Sequence, residues 1–226
     1  TAVICIRKGV FPRRQSRTLQ LQKQKSILQK GLYLFLYNSC FYFILISIRT
    51  IISVNYTVEE FGYFTFSFTI ANAVMLLLDS FNTILFPKTI DLMSSDDNKK
   101  KADTLEKMRV GYILTSHMLI YLAMICFPVL VWFIPKYMPA LSSMNMIALA
   151  VLMNTNSYGY SNMLIAQNKE RKAGFISAVS LIVNIILGLG LAKILNVEYS
   201  YITIAILVAY MISSFLMAYE GDTILR

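Results

Sequence analysis

Long apolar runs separated by short polar segments dominate the pattern of this chain. Each run is long enough to cross about 30 Å of hydrocarbon as a helix, which takes about 20 residues. Because a backbone in lipid must pair its own polar groups, such runs predict membrane-spanning helices. The predicted spans are residues 32–54, 62–87, 109–134, 138–166, 174–195 and 198–219. The expected fold is therefore an all-α integral membrane protein with six transmembrane helices.

The same pattern divides the chain into three parts. We expect a basic cytoplasmic linker at 1–31, the six-helix bundle at 32–219 and a cytoplasmic tail at 220–226. Residues 18–30 fit either a basic helix lying on anionic lipid or a plain linker. The chain begins with Thr1 and an apolar stretch. We therefore expect a longer protein in which these first residues end a preceding apolar helix.

Positive charge alternates along the connections and predicts the orientation. Eighteen of the 21 lysines and arginines precede the first span, follow the last, or lie between spans two and three or four and five. The other connections contain only Lys136 and Lys193, and Arg49 lies inside the first span. Because positive charge marks the cytoplasmic side, both ends of the bundle are expected in the cytoplasm.

Local signals support these boundaries. Thr57 and Glu60 have the spacing of a capping box at the start of the second span. Pro139 suits the first turn of the fourth span, where its missing N–H costs nothing. The sequence GLGLA at 188–192 lies within a span, so it indicates close helix packing rather than a nucleotide-binding loop.

Composition narrows the possible function classes. The chain is 57% hydrophobic and 15% charged, which is unlike a soluble domain. The net charge of +9 lies between apolar runs rather than along one folded face, so a nucleic-acid partner is not expected. Cys5, Cys40 and Cys126 match no metal-binding spacing, and His117 is the only histidine. Without a catalytic constellation, we expect a non-enzyme that uses no cofactor or metal.

Polar residues inside the spans are the candidate site residues. At 1.5 Å per residue, Arg49 lies roughly 9 Å below the outer surface and Asp79 roughly 27 Å below it. This difference excludes an Arg49–Asp79 ion pair. His117, Asn154 and Asn156 lie near the depth of Asp79 and are expected to form an inner polar cluster with it. That cluster predicts ion or proton coupling at Asp79 and His117; hydration of Asp79 at the interface and packing of His117 are the alternatives.

Other intramembrane side chains are candidates for binding a substrate. Asn72 and Asn184 lie near the midplane, and Asn145 lies close to the depth of Arg49. The asparagines either bind substrate or join helices by hydrogen bonds. Arg49 is either a cation that faces a cavity and binds a substrate or a helix-end residue that extends to water. We predict substrate binding at Arg49, Asn72, Asn145 and Asn184.

A family resemblance begins in the sequence IRTIISVNYTVEEFGYFTFSFTIANAVMLLLDSFNTILFPKTI, at 48–90. It resembles the seventh and eighth spans of bacterial polysaccharide and O-antigen flippases, the Wzx-like branch of the multidrug/oligosaccharidyl-lipid/polysaccharide exporter superfamily. Residues 131–192, with the turn AQNK before the next span, look like the following helices. Arg49 falls on the basic member of an acidic–basic pair, whereas Ile48 stands where the family often has Asp. The other matching residues are Glu59, Glu60, Gly62, Tyr63, Phe64, Pro87 and Lys88.

The resemblance covers roughly residues 32–219 and implies the C-terminal half of a twelve-helix transporter. The implied activity is to flip a polyprenyl-diphosphate-linked oligosaccharide across the bacterial cytoplasmic membrane. Its partners would be that lipid-linked oligosaccharide, membrane lipid and the N-terminal half of the same protein. Half of a cation-coupled multidrug or metabolite antiporter is the first alternative, and a membrane protein without transport activity is the second.

Overall fold

A computed structural model, which describes residues 17–93 and 98–225, consists of helices joined by short turns. Two of the turns contain 3-10 helices, Pro135–Tyr137 and Tyr199–Thr203. The described part of the chain contains no β-strand, as an all-α membrane protein requires. The α-helices are α1 (Arg17–Asn55), α2 (Val58–Met93), α3 (Asn98–Phe133), α4 (Ala140–Thr155), α5 (Tyr160–Ala166), α6 (Glu170–Lys193) and α7 (Ile204–Leu225).

Five segments of these helices are long and apolar enough to cross a membrane. They correspond to the first, second, third, fifth and sixth predicted spans, which indicates a membrane-spanning protein. The predicted span 138–166 is divided between α4, with 16 residues, and α5, with 7 residues. The five segments are Ile27–Asn55, Val58–Leu85, Glu106–Phe133, Glu170–Lys193 and Tyr199–Gly221.

The predicted linker and tail fall partly outside the described residues. Residues 1–16 and 226 lie there, as do residues 94–97 of the connection between the second and third spans. Within the described part, residues 17–31 belong to α1 and continue into the first span without a break. Residues 220–225 likewise continue α7.

The start of α2 is held by the predicted capping box, which is confirmed. The Glu60 Oε2 accepts hydrogen bonds from the Thr57 backbone N–H at 3.0 Å and from the Thr57 hydroxyl at 2.7 Å. The Glu60 N–H donates back to Thr57 Oγ1 at 3.3 Å. These bonds satisfy groups that a helix start leaves unpaired, so the chain reverses within two residues after Asn55.

Tyrosines join three connections at this end of the bundle, which we call the aromatic end. Its connections are residues 55–58, 134–139 and 194–199. The Tyr56 hydroxyl donates to the Val197 carbonyl at 2.5 Å, and the Tyr199 hydroxyl donates to the Pro139 carbonyl at 2.6 Å. Burial, and secondarily Glu60, raises the pKa of Tyr56, which keeps its phenol protonated as a donor.

The opposite end, which we call the basic end, collects the other connections. Lys30 Nζ donates to Asn168 Oδ1 at 2.6 Å, which joins α1 to the α5–α6 turn. Lys172 and Glu220 form an ion pair at 2.5 Å between α6 and α7. The start of α1, the α5–α6 turn and the end of α7, which the charge pattern assigned to one side, therefore meet at one end. The α4–α5 segment runs from the aromatic end at Pro139 to the basic end at Asn168.

Glycines allow α1 and α6 to approach closely along the most extensive helix pair of the bundle. A Cβ added at Gly174 would lie 2.9 Å from the Tyr33 carbonyl oxygen, and one at Gly188 would lie 2.7 Å from Ile48 Cδ1. The close packing expected of GLGLA is thus confirmed at Gly188. At Gly190, an added Cβ would meet open space.

Candidate functional site

A polar cleft lies between α1, α2, α3 and the α4–α5 segment, in the half of the bundle nearest the basic end. Its volume is about 550 Å³, which falls within the usual range of ligand sites. Most of the side chains around it can form hydrogen bonds, although the bundle as a whole is apolar. They are Tyr37, Asn38, Tyr42, Asp79, Thr83, Tyr112, Asn154, Thr155, Ser157, Tyr158, Ser161 and Asn162.

The break between α4 and α5 builds one wall of this cleft. Residues 154–160, NTNSYGY, are all weaker helix formers than alanine or leucine, and Gly159 adopts a φ of +86°, which suits glycine. The Ser157 and Tyr158 N–H groups donate to the carbonyls of Asn154 and Thr155 at 3.1 Å, in a tight turn. This turn lines the cleft, and a membrane-spanning segment tolerates irregular backbone where that backbone lines a cavity.

Hydrogen bonds from side chains stabilise the broken segment. The Ser214 hydroxyl of α7 donates to the Met153 carbonyl at 2.6 Å. The Ser157 hydroxyl donates to the Asn154 carbonyl at 2.8 Å. These bonds pair carbonyls at the end of α4 that the helix itself leaves free, so the turn is an integral part of the fold.

Two tyrosines form an aromatic platform on the cleft wall. The rings of Tyr112 from α3 and Tyr158 from the turn are stacked with centroids 3.8 Å apart. Tyrosine offers an apolar ring face together with a polar hydroxyl. Tyr158 is buried and Tyr112 is half-buried, so the stacked pair brings two phenol groups to the cleft wall.

Asp79 places a carboxylate on the opposite wall, within α2. Its side chain is exposed to the cleft, which it shares with Tyr37 and Tyr112. The ion pair found among residues 17–93 and 98–225 joins Lys172 to Glu220, so no described cation neutralises Asp79. An acidic group in a polar cavity at membrane depth can bind a cation, take up a proton or accept hydrogen bonds from a substrate.

An arginine–tyrosine contact lies beside the cleft at the basic end. Arg109 Nη1 donates to the Tyr160 hydroxyl at 2.7 Å, and its Cζ lies 4.1 Å from the centre of that ring. A Cβ added at Gly221 of α7 would overlap the Tyr160 ring, so α5 packs directly on α7. The contact thereby fixes α3, α5 and α7 relative to each other. In the sequence alone, Arg109 is one of several cations between the second and third spans, and no local pattern indicates its contact with Tyr160.

The predicted inner polar cluster is only partly formed. Asp79 and Asn154 line the same cleft, as their matching depths predict. His117 lies outside the cleft lining, where its Nδ1 is 2.8 Å from the Ile113 carbonyl oxygen of its own helix. Within the described residues, no group of three or more histidine, cysteine, aspartate or glutamate side chains is arranged to hold a metal ion.

Arg49 lies on the aromatic side of the cleft, between α1 and α2. Its Cζ is 5.5 Å from the ring centre of Phe61 and 5.9 Å from that of Phe68. Asp79 follows Phe68 by 11 residues, roughly 16 Å further along α2, which agrees with the excluded ion pair. Arg49 is therefore a half-buried cation held against two aromatic rings, outside the cleft lining.

The predicted asparagines also lie outside the cleft lining. Asn184 is fully buried, and its Nδ2 donates to the Ile44 carbonyl at 2.9 Å and to Ser47 Oγ at 2.8 Å. These bonds join α6 to α1, which is the helix-joining alternative for an intramembrane asparagine. Asn72 of α2 and Asn145 of α4 are half-buried.

The sequence analysis did not single out Tyr37, Asn38 or Tyr112. A usable signal was present in α1, where Leu34, Tyr37, Asn38, Phe41 and Tyr42 share one face at helical spacing. A stripe of tyrosine and asparagine within an apolar span predicts a surface turned towards protein or a cavity.

Comparison with protein-family models, with curated proteins and with solved structures gives no match. The resemblance to the polysaccharide flippases therefore rests on the matching residues given in the sequence analysis.

Proposed function

We propose that this chain forms one bundle of a transporter that flips a polyprenyl-diphosphate-linked oligosaccharide across the bacterial cytoplasmic membrane. The observation that supports this most is the polar cleft inside an otherwise apolar helical bundle. An oligosaccharide presents hydroxyls and apolar ring faces. Amides, hydroxyls, a carboxylate and a stacked tyrosine pair are the groups that bind such a molecule.

The position of the cleft suits loading from the cytoplasmic side. The basic end has the excess of lysine and arginine that marks cytoplasmic connections. The cleft lies in that half of the bundle, so a headgroup presented at the cytoplasmic leaflet would reach it first. Arg49, nearer the aromatic end, is proposed to receive the diphosphate as the headgroup moves outward.

The proposal includes a sixth crossing of the membrane, made by the α4–α5 segment. The α4–α5 segment joins the two ends of the bundle, and counting it as one broken span returns both ends of the bundle to the cytoplasm. Six crossings suit one half of a twelve-helix transporter, whose N-terminal half would be the partner. Exposed apolar side chains on α3, among them Leu114, Met118 and Ile125, suit contact with lipid or with that partner.

A cation-coupled antiporter half is the second candidate, and Asp79 is the observation that favours it. Proton- and ion-coupled transporters carry acidic residues inside the membrane at their coupling sites. Asp79 is exposed to the cleft and has no ion-pair partner among the described residues. The two candidate functions differ in the molecule that is transported, and Asp79 is compatible with both.

Complementation tests the proposed function. A strain that lacks its surface-polysaccharide flippase should regain polymer when the full-length gene encoding this chain is expressed. Lipid-linked intermediates on the inner leaflet should fall at the same time. Restored drug or metabolite efflux without any change in these intermediates would favour the antiporter and reject the flippase.

A further inference from the structure

A second cavity, which we call the tail groove, lies between α2 and α3 beside the polar cleft. Its volume is about 240 Å³. Phe81 and Leu85 of α2 line one side, and Met108 and Gly111 of α3 line the other. Its surface is much more strongly apolar than that of the neighbouring cleft.

Tyr112 connects the two cavities, because its side chain lines both of them. Lys107 also lines the tail groove. It lies four residues before Gly111, hence on the same face of α3 and about one turn nearer the basic end. An apolar groove, a cation and a polar cleft are thus adjacent along a single stretch of α3.

We propose that the tail groove binds the part of a hydrocarbon chain nearest the phosphate of an amphiphile, whose phosphate meets Lys107 and whose polar head occupies the cleft. This inference rests on the proposed function and specifies how its substrate is held. An uncharged chain gains by lying on apolar walls, and a lysine is a point charge suited to phosphate. A free sugar would leave the groove and Lys107 unused, whereas a lipid-linked phosphate uses the groove, the cation and the cleft.

Gly111 offers a way to fill the groove without disturbing the packing of the protein. A Cβ added there meets nothing within 4 Å, so Gly111→Leu begins its side chain in open space at the groove lining. Gly62→Leu is the matched control, because Gly62 is equally open but lies near the aromatic end of α2. Leucine is a better helix former than glycine, so both variants should fold.

The test is binding of a radiolabelled C55 polyprenyl phosphate to the full-length protein in phosphatidylcholine nanodiscs. We expect Gly111→Leu to weaken binding by roughly tenfold or more, since its side chain takes up space that the hydrocarbon chain needs to be buried, and Gly62→Leu to leave it unchanged. Lys107→Gln should weaken binding of the polyprenyl phosphate but not of the unphosphorylated polyprenol.

Three results would overturn the inference. They are unchanged binding in Gly111→Leu, equal competition by phosphatidylglycerol, and equal competition by inorganic diphosphate. The first means that the chain lies elsewhere, the second that the groove holds any membrane lipid, and the third that the chain adds nothing.

The inference and the proposed function can fail separately. If the protein binds the polyprenyl phosphate through the groove but moves no lipid-linked oligosaccharide, the inference about the groove stands and the proposed flippase function is rejected. If Gly111→Leu has full flipping activity, the proposed flippase function stands and the inference about the groove is overturned.

Discussion

At the residue scale, the wall of the polar cleft joins one carboxylate to a set of neutral hydrogen-bonding groups. Asp79 is exposed to the cleft, opposite the stacked pair of Tyr112 and Tyr158. Hydrogen bonds to a charged group contribute about 1.5–3 kcal/mol, roughly twice those between neutral groups. Asp79 is therefore the group of the cleft that is expected to make the largest single contribution to binding energy.

We predict that Asp79→Asn lowers the transport rate by roughly tenfold or more, because the amide cannot replace a charged acceptor. The amount of protein in the membrane should stay the same, since the side chain lies at the cleft surface. Ser80→Ala is the control, because the Ser80 hydroxyl donates to the Leu76 carbonyl of its own helix and Ser80 is not part of the cleft lining. Transport of a lipid-linked oligosaccharide into the outer leaflet is the measurement, and a fully active Asp79→Asn would remove Asp79 from the mechanism.

Arg49 is the second residue with a specific expectation. Each cation–π contact is worth about 0.5–1 kcal/mol, so the loss of its contacts with Phe61 and Phe68 should leave insertion intact. We predict that Arg49→Ala is inserted normally but loses transport, whereas Arg49→Lys keeps part of it. Equal transport by the alanine variant and the parent protein would show that Arg49 is only an anchor at the helix end.

At the element scale, the α1–α6 pair is fixed by close backbone contact and by one buried amide. Gly174 brings α6 against the Tyr33 carbonyl, and Asn184 donates two hydrogen bonds to α1. Backbone cannot move aside as a flexible side chain can. The pair should therefore tolerate very little additional volume at Gly174.

Gly174→Ala should destabilise the bundle by about 1–3 kcal/mol, because the new methyl group would lie 2.9 Å from a backbone oxygen. Gly190→Ala on the same helix should be neutral or stabilising by about 0.5–1 kcal/mol, since its Cβ meets open space and alanine favours the helix. Denaturant unfolding in mixed micelles measures both variants. Equal stability of the two would contradict the close packing of α1 on α6.

Sequence reasoning located five long apolar helices that match predicted spans, because lipid imposes a simple rule on helix length and apolarity. It also located the turn at Thr57, since a capping box is a local interaction. The break after Thr155 was missed, because the apolar run continues through residues 138–166 and hides the turn at Gly159. The grouping of Tyr37 with Tyr112 and Asn154 depends on how α1, α3 and α4 pack together. No local sequence pattern predicts this packing.

At the scale of the whole molecule, the connections separate into an aromatic end and a basic end. The α4–α5 segment joins these ends although neither of its helices alone is a full span. The proposed topology depends on this segment, because it decides whether the crossings number five or six.

Single cysteines in a background without Cys5, Cys40 and Cys126 would test this topology. We predict that cysteines at Lys136 and Lys193 react with an impermeant maleimide added outside intact cells. Cysteines at Lys30 and Lys169 should react only after the membrane is opened. Labelling of the 136 and 169 positions from the same side would show that the α4–α5 segment does not cross.

The most direct test of the account is flipping by the purified full-length protein in liposomes that contain a fluorescent polyprenyl-diphosphate oligosaccharide. Dithionite added outside destroys only the label exposed in the outer leaflet. We predict that the quenched fraction rises well above that of protein-free liposomes, and that Asp79→Asn removes most of the increase while Ser80→Ala does not. A quenched fraction equal to that of protein-free liposomes would contradict the proposal that this bundle moves a lipid-linked oligosaccharide.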